Sequence, residues 1–179
     1  MSARIVLHEA DITRALTRIA HEILESNRGA DDLVLLGIPT RGVTLGHRLG
    51  ALISDIAGTK VPVGSLDVTL FRDDLAKHPT RSPQRTEIPA GGIDGRTVVL
   101  VDDVLFSGRS IRAALDALQS IGRPAAVRLA ILVDRGHREL PIRPDFIGKN
   151  IPSSRQERVN VHLREDDGEE LVSIEGGEA

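Results

Sequence analysis

The chain has 179 residues, 40% hydrophobic and 27% charged, with a formal net charge of -3 and no cysteine. That length and balance suit one globular domain with its own core, and they exclude a disulfide scaffold or thiolate chemistry. No apolar run approaches the roughly 20 residues of a spanning helix, so a cytoplasmic protein without membrane contact is expected.

In chain order, "MSARIVLHEADITRAL" opens with a short apolar run, Ile5 to Leu7, and turns charged, unlike a signal peptide. Asp11 is placed to N-cap a helix in which Ile12, Leu16, Ile19, Ile23 and Leu24 recur at helical spacing until Gly29. The other face of that helix carries Thr13, Arg14, Thr17, Arg18 and His21, a polar stripe that is basic over two turns. "LVLLGIPTRG" reads as a buried strand, Leu33 to Leu36, entering a Gly/Pro turn, and "VTLGHRLGALISDI" as the helix after it. "VPVGSLDVTLF" is a second strand region. Residues 72–92 are polar and rich in Pro and Gly, without a sustained period, which marks a flexible flap loop over a site.

"RTVVLVDD" is a strand buried on both faces, and Ile111, Ala114, Leu115, Leu118 and Ile121 trace the helix that follows, ending at Gly122. "AAVRLAILVD" is a further buried strand. Apolar strands alternating with amphipathic helices predict an α/β fold with a mostly parallel twisted sheet. From Arg164 onward the chain is an acidic tail with seven of the 26 acids and one of the 23 basic residues, leaving a modestly basic body. Such a body permits an anionic partner. With three Phe and no Trp or Tyr, RNA contact would be electrostatic and hydrogen-bonded rather than stacked on aromatics.

The chemistry concentrates in "VVLVDDVLFSGRS", Val98 to Ser110. Ligands of parallel sheets collect at the carboxyl ends of the strands, where Asp102 and Asp103 fall. Ser107, Gly108, Arg109 and Ser110 then open a helix, whose free N–H groups and dipole favour an anion. Acids beside a phosphate cup repel the ligand unless they accept from hydroxyls or face a hydrated metal, so the pattern implies a sugar phosphate. A plain helix-capping Asp pair is the structural alternative. A receiver domain also follows an apolar strand with an acidic pair, but it needs a later Lys at a strand end, and here the only later Lys is Lys149 in an irregular segment.

This stretch resembles the phosphoribosyl-pyrophosphate (PRPP) signature of the type I phosphoribosyltransferases. "GIPTRG" resembles that family's pyrophosphate loop, and by itself it could also be an ordinary turn with a surface Arg. "DITRALTRIAHEI", "LDVTLFRDDL", "VDDVLFSGRSIRAALDAL" and "VDRGHRELPIRPDFIGKNIP" extend the likeness over nearly the whole chain, to the branch of bifunctional pyrimidine operon regulators with uracil phosphoribosyltransferase activity.

The resemblance implies a single domain over residues 1–179, with a small hood and basic segment at 137–158, and conversion of uracil and PRPP to UMP and pyrophosphate with Mg2+. It also implies binding of pyrimidine operon leader mRNA in response to UMP or UTP, and a homodimer or higher homo-oligomer. By it Asp102 and Asp103 hold the ribose hydroxyls and, through water, the metal. Val98, Val99, Leu100, Val101, Val104, Leu105 and Phe106 complete the PRPP segment with the phosphate turn. Thr40 and Arg41 meet the pyrophosphate, and Arg72 closes over it. Phe146 is expected to stack on the base and the Ile147 backbone to read its edge, with Phe146 as plain core the alternative. RNA contact is assigned to Thr17, Arg18, His21, His137, Arg138, Arg143 and Lys149, against the alternative of a solvated charged face. Arg135 could serve either the RNA or the active site.

Purine-specific members carry an Asp where this chain has Phe106. That departure favours a pyrimidine and leaves the general base unassigned. A PRPP sensor without catalysis and a transferase for another base stay open beside the uracil enzyme.

Overall fold

A computed structural model describes residues 3–72 and 85–177. β1 (Arg4–His8) leads directly into α1 (Glu9–Asn27), then β2 (Leu33–Gly37), α2 (Arg41–Ala57), β3 (Val63–Ser65) and a 3-10 turn (Thr69–Phe71). β4 (Thr97–Leu105), α3 (Arg109–Gln119), β5 (Ala126–Asp134) and β6 (Phe146–Asn150) follow. The chain closes with β7 (Arg158–His162), the single turn α4 (Arg164–Asp167) and β8 (Leu171–Glu175).

β3-β2-β4-β5-β6 form a parallel five-stranded sheet. Its strands are apolar on both faces because both are covered. Leu33, Leu35, Val99, Val101, Ala130 and Leu132 point into a core with α1 and α2. Their neighbours Val34, Leu36, Val98, Leu100, Leu129 and Ile131 point into a second core with α3. The expected α/β architecture is therefore present, layered as the two-residue period of a strand requires.

Several local expectations change. The first helix starts earlier than the apolar period suggests. His8 is its N-cap, and Asp11 sits at the third helical position, where its carboxylate accepts the His8 N–H at 2.8 Å. Ile5 to Leu7 belong to a strand, whose pairing partner lies at the far end of the chain and is invisible to local pattern. α3 stops at Gln119 rather than at Gly122.

A second, antiparallel sheet of order β1-β8-β7 is built from both ends of the chain. The smaller subassembly thus lies in 4–8 and 158–175 rather than in 137–158, since residues 146–150 are the fifth strand of the main sheet. The acidic segment is likewise no loose tail, because β8 is the middle strand of that sheet. Of the flap, residues 73–84 lie outside the described residues. Its return limb is tied down where Glu87 bridges Ser65 and the Asp67 N–H donates to Thr86 Oγ1 at 2.9 Å.

Candidate active site

Three strand ends and two helix starts converge. β4 runs past β2, whose register with it ends at Gly37 opposite Val101. Ile38 N–H then bonds Val101 C=O at 2.9 Å, and the chain turns into α2 through Pro39 and Thr40. Gly42 is required there, since a Cβ on it would lie 2.5 Å from Val101 O and 3.3 Å from Asp102 Oδ1. The first turn of α2 is thereby pressed against the acidic pair. Asp102 is buried, its Oδ1 accepting the Asp103 N–H at 2.8 Å, and Asp103 Oδ1 accepts the Val104 N–H at 2.8 Å.

Beyond the pair the chain rises through Phe106 into the turn that opens α3. Gly108 has φ of 92°, a left-handed conformation that favours glycine, and it caps the helix without a side chain. Ser107 C=O accepts from Glu139 and Leu140 N–H at 2.9 and 3.2 Å, its Oγ accepts from Arg109 N–H at 3.3 Å, and Arg109 pairs with Glu139. Arg72, at the base of the flap, donates to Ser110 Oγ at 2.6 Å. A guanidinium, a hydroxyl and the start of α3 thus meet, a donor set suited to an anion.

Arg41 begins α2 and is held by Asp167 of α4, with Nε to Oδ2 at 3.0 Å and Nη2 to Oδ1 at 2.6 Å. The bond to Asp167 raises the Arg41 pKa, and the nearby negative charge of Asp103 adds to the shift. Asp167 is held low in return, mainly by Arg41.

Behind Phe106 lies an ordered basic wall. Arg135 is buried, at 8% exposure; its guanidinium sits 4.2 Å from the Phe106 ring centroid and donates to Ser154 and Glu157 C=O, each at 2.7 Å. Arg138 donates to Phe106 C=O at 3.0 Å, to Ile142 C=O at 2.9 Å and to Asp134 at 2.5 Å. Burial pushes Asp134 up, but Arg138 and the Gly136 N–H outweigh it and keep the group below the ordinary carboxylate value. Arg135 packs on Phe106 next to the acidic pair, and Asp134 and Asp167 are partners that sequence reasoning did not single out. Nothing local could have found Asp167, which is 126 residues from Arg41.

The chain matches the phosphoribosyl transferase domain family over residues 3–165. It is 64% identical to a protein of Leifsonia xyli called bifunctional protein PyrR, with both chains fully covered. Proteins of the same name from Streptomyces coelicolor and Mycobacterium tuberculosis are 66% and 55% identical, each over 96% of this chain and over 89% and 93% of theirs. The chain belongs to the PyrR group of phosphoribosyltransferases. The solved hypoxanthine phosphoribosyl transferase of Trypanosoma cruzi shares the fold, with a TM-score of 0.72 at 18% identity over 96% of this chain and 90% of that one. A hypoxanthine-guanine enzyme of Bacillus anthracis gives 0.69 at 14% identity, over 97% and 98%.

In this PyrR-group chain the other expected site residues separate. Val98, Val99, Leu100, Val101 and Leu105 are buried in the sheet, so they support the site without reaching it; Val104 is half-buried beside them. Phe146 corrects an expectation. It is 6% exposed in the core against α1, at the start of β6 and opposite Ala130, well short of the carboxyl ends where ligands gather. The Ile147 carbonyl is likewise taken, by Arg18 at 3.0 Å. The segment that does approach Phe106 is 153–157, through Arg135.

Of the residues assigned to RNA, Arg18 and Lys149 line one groove of about 310 Å³ between α1 and β6, together with Arg14, and His21 is exposed on the same helix. Thr17 is half-buried and donates to Thr13 C=O. Arg143 is exposed, whereas Arg138 and His137 are turned inward, His137 Nε2 meeting Ser153 C=O at 2.5 Å.

Proposed function

We propose that the chain transfers the phosphoribosyl group of PRPP to uracil, forming UMP and pyrophosphate, and that it also binds pyrimidine operon leader RNA. The observation that carries the enzyme reading is the adjacency of the Asp102 and Asp103 carboxylates to two cation-guarded helix starts, one with Arg72 on Ser110 and one with Arg41 beside Asp103. The ribose hydroxyls donate to the acids, the 5′-phosphate takes the turn from Phe106 to Ser110, and the diphosphate lies towards Thr40 and Arg41.

In the reaction the bond from the anomeric carbon to the diphosphate breaks and a bond to the uracil nitrogen forms, with loss of the nitrogen's proton. Positive charge develops on the sugar while the leaving group gains negative charge. Arg41 and Arg72 offset the latter, and exclusion of water protects the former. The all-oxygen donors of Asp102 and Asp103 suit a hard cation such as Mg2+, which is commonly held by one or two carboxylates plus substrate phosphates. When bound, it supplies further neutralisation of the diphosphate. Phe106, wedged between Arg135 and His137, puts a hydrocarbon face where a purine enzyme would offer a carboxylate, and this supports a pyrimidine.

The RNA reading is supported by the bifunctional name of the relatives and by the basic groove at Arg14, Arg18 and Lys149. Incubation with PRPP, Mg2+ and each nucleobase in turn tests the enzyme; UMP as the sole product is expected, and no product with any base defeats it. Titration of a pyrimidine leader transcript with and without UMP tests the regulator, and equal affinity for unrelated RNA defeats that role. Phosphate contacts make the affinity fall steeply with salt.

A further inference from the structure

The turn that follows the hood strand β7 reaches across the molecule to the first turn of α2. Arg41, Thr44 and Arg48 recur at three- and four-residue spacing, so they share one face of that helix. Against them lie Asp167, Asp166, Glu165 and Glu170. Thr44 donates to Asp166 at 2.7 Å, and Arg48 makes four hydrogen bonds to Glu165 and Glu170. Arg48 and Thr44 tie the turn to α2, and the contact continues to the end of α2 that abuts the acidic pair.

There the geometry differs from simple docking. Asp167 Oδ2 also accepts the Leu163 N–H at 2.8 Å, and Leu163 is fully buried. The carboxylate is therefore fixed to the backbone independently of Arg41. It engages only the Nε and Nη2 edge of the guanidinium. Nη1 and the second Nη2 hydrogen make no other hydrogen bond among the described residues. A guanidinium has five donors in a rigid plane, so fixing one edge fixes the direction of the other. Arg41 starts from the same turn whose Gly42 touches Asp102. Its remaining donors thus belong to the site already described.

We propose that Asp167 is a positioning residue for the transferase site: it holds Arg41 by one edge so that the other edge is presented to the diphosphate of PRPP. The inference rests on the assignment of the Thr40 and Arg41 turn to diphosphate. Asp167 touches no substrate; it acts by removing the rotamer freedom of a long side chain before the ligand arrives. The hood turn and the diphosphate end of the site are then one mechanical unit.

Calorimetric titration of magnesium PRPP into the wild-type chain and into Asp167→Ala, Asp167→Asn and Asp167→Glu tests this without requiring turnover. Asp167→Ala is expected to weaken PRPP binding about tenfold, the scale of one charge-assisted hydrogen bond, and to raise KM for PRPP more than it lowers kcat. Asp167→Glu is expected to recover part of the loss. The control is the pair Glu165→Gln and Glu170→Gln, which loosens the same turn at Arg48, lowers Tm and leaves PRPP affinity within about twofold. In a cycle with Arg41→Lys, the losses are expected to be non-additive.

Wild-type affinity in Asp167→Ala, or an equal loss in the control pair, overturns the inference. If the Ala variant does not fold, the near-isosteric Asn variant carries the same comparison. A wild-type chain that binds PRPP and forms no UMP refutes the enzyme reading while the Asp167 comparison still decides this one. Absence of any PRPP binding by the wild type overturns both.

Discussion

Asp102 and Asp103 are neighbours in sequence with different surroundings: the first is buried against Gly42, and the second lies in the field of Arg41. Asp103→Asn keeps the shape and removes the charge that ribose hydroxyls and a metal-bound diphosphate would meet. A loss of at least about a hundredfold in kcat/KM is expected, with Tm little changed, measured by UMP formation and thermal melting.

Arg138 calls for the opposite prediction from the one its charge invites. As a surface base its removal would weaken only RNA binding. Its guanidinium, however, satisfies two carbonyls and Asp134. Arg138→Ala should cost about 2 kcal/mol of folding stability, read as a lowered urea midpoint, because it leaves half-buried acceptors unpaired. An RNA gel shift on this variant needs that melt beside it. Lys149 and Arg143, exposed on the surface, are the cleaner test of RNA contact.

At the scale of elements, the site exists because helix starts are packed hard against strand ends. Neither Gly37 nor Gly42 has room for a Cβ: one on Gly37 would run into the Gly42 carbonyl, and one on Gly42 into the Val101 carbonyl. Backbone cannot give way as a flexible side chain can. Gly42→Ala is therefore expected to shift α2 away from the acidic pair and to destabilise by about 1–3 kcal/mol. Its signature is joint loss of PRPP binding and of Tm, whereas retention of both would show that α2 can slide. The helix of the other layer, α3, supplies the second turn of the candidate site through Gly108, so the two helix starts come from opposite faces of one sheet. β4 is the strand that brings them together, since it pairs with β2 on one side and β5 on the other.

For the whole molecule, the acidic segment is a clamp between the hood and the sheet domain. Glu165 and Glu170 are held below the ordinary carboxylate range by Arg48, and Asp167 by Arg41. The unfolded chain lacks these partners, so on acidification it takes up protons first. The stability these groups contribute is complete above about pH 4.5 and is lost as pH falls through the lowered folded values. Calorimetry should show a Tm that is flat from neutrality to about pH 5 and falls below it. A chain with Glu165→Gln, Asp167→Asn and Glu170→Gln should start lower and fall less. Equal acid slopes in the two chains would place the sensitivity elsewhere.

Read alone, the sequence determined the parallel sheet, its flanking helices and the phosphoribosyl signature, because the two-residue and helical periods, the Asp102–Asp103 pair and the Ser107–Ser110 turn are local patterns imposed by local geometry. It misplaced what depends on remote partners. The strand Arg4–His8 exists only because Leu171–Glu175 returns to pair with it, and the hood therefore joins both ends of the chain. Phe146 is fixed as core by α1, and Arg138 is turned inward by Phe106 and Asp134. Asp167 meets Arg41 across 126 residues, so the acidic run that reads as a C-terminal tail packs against α2. Hydrophobic period records which face of an element is buried. It carries no record of which distant charge will be there to receive it, and that pairing is set only when the elements pack.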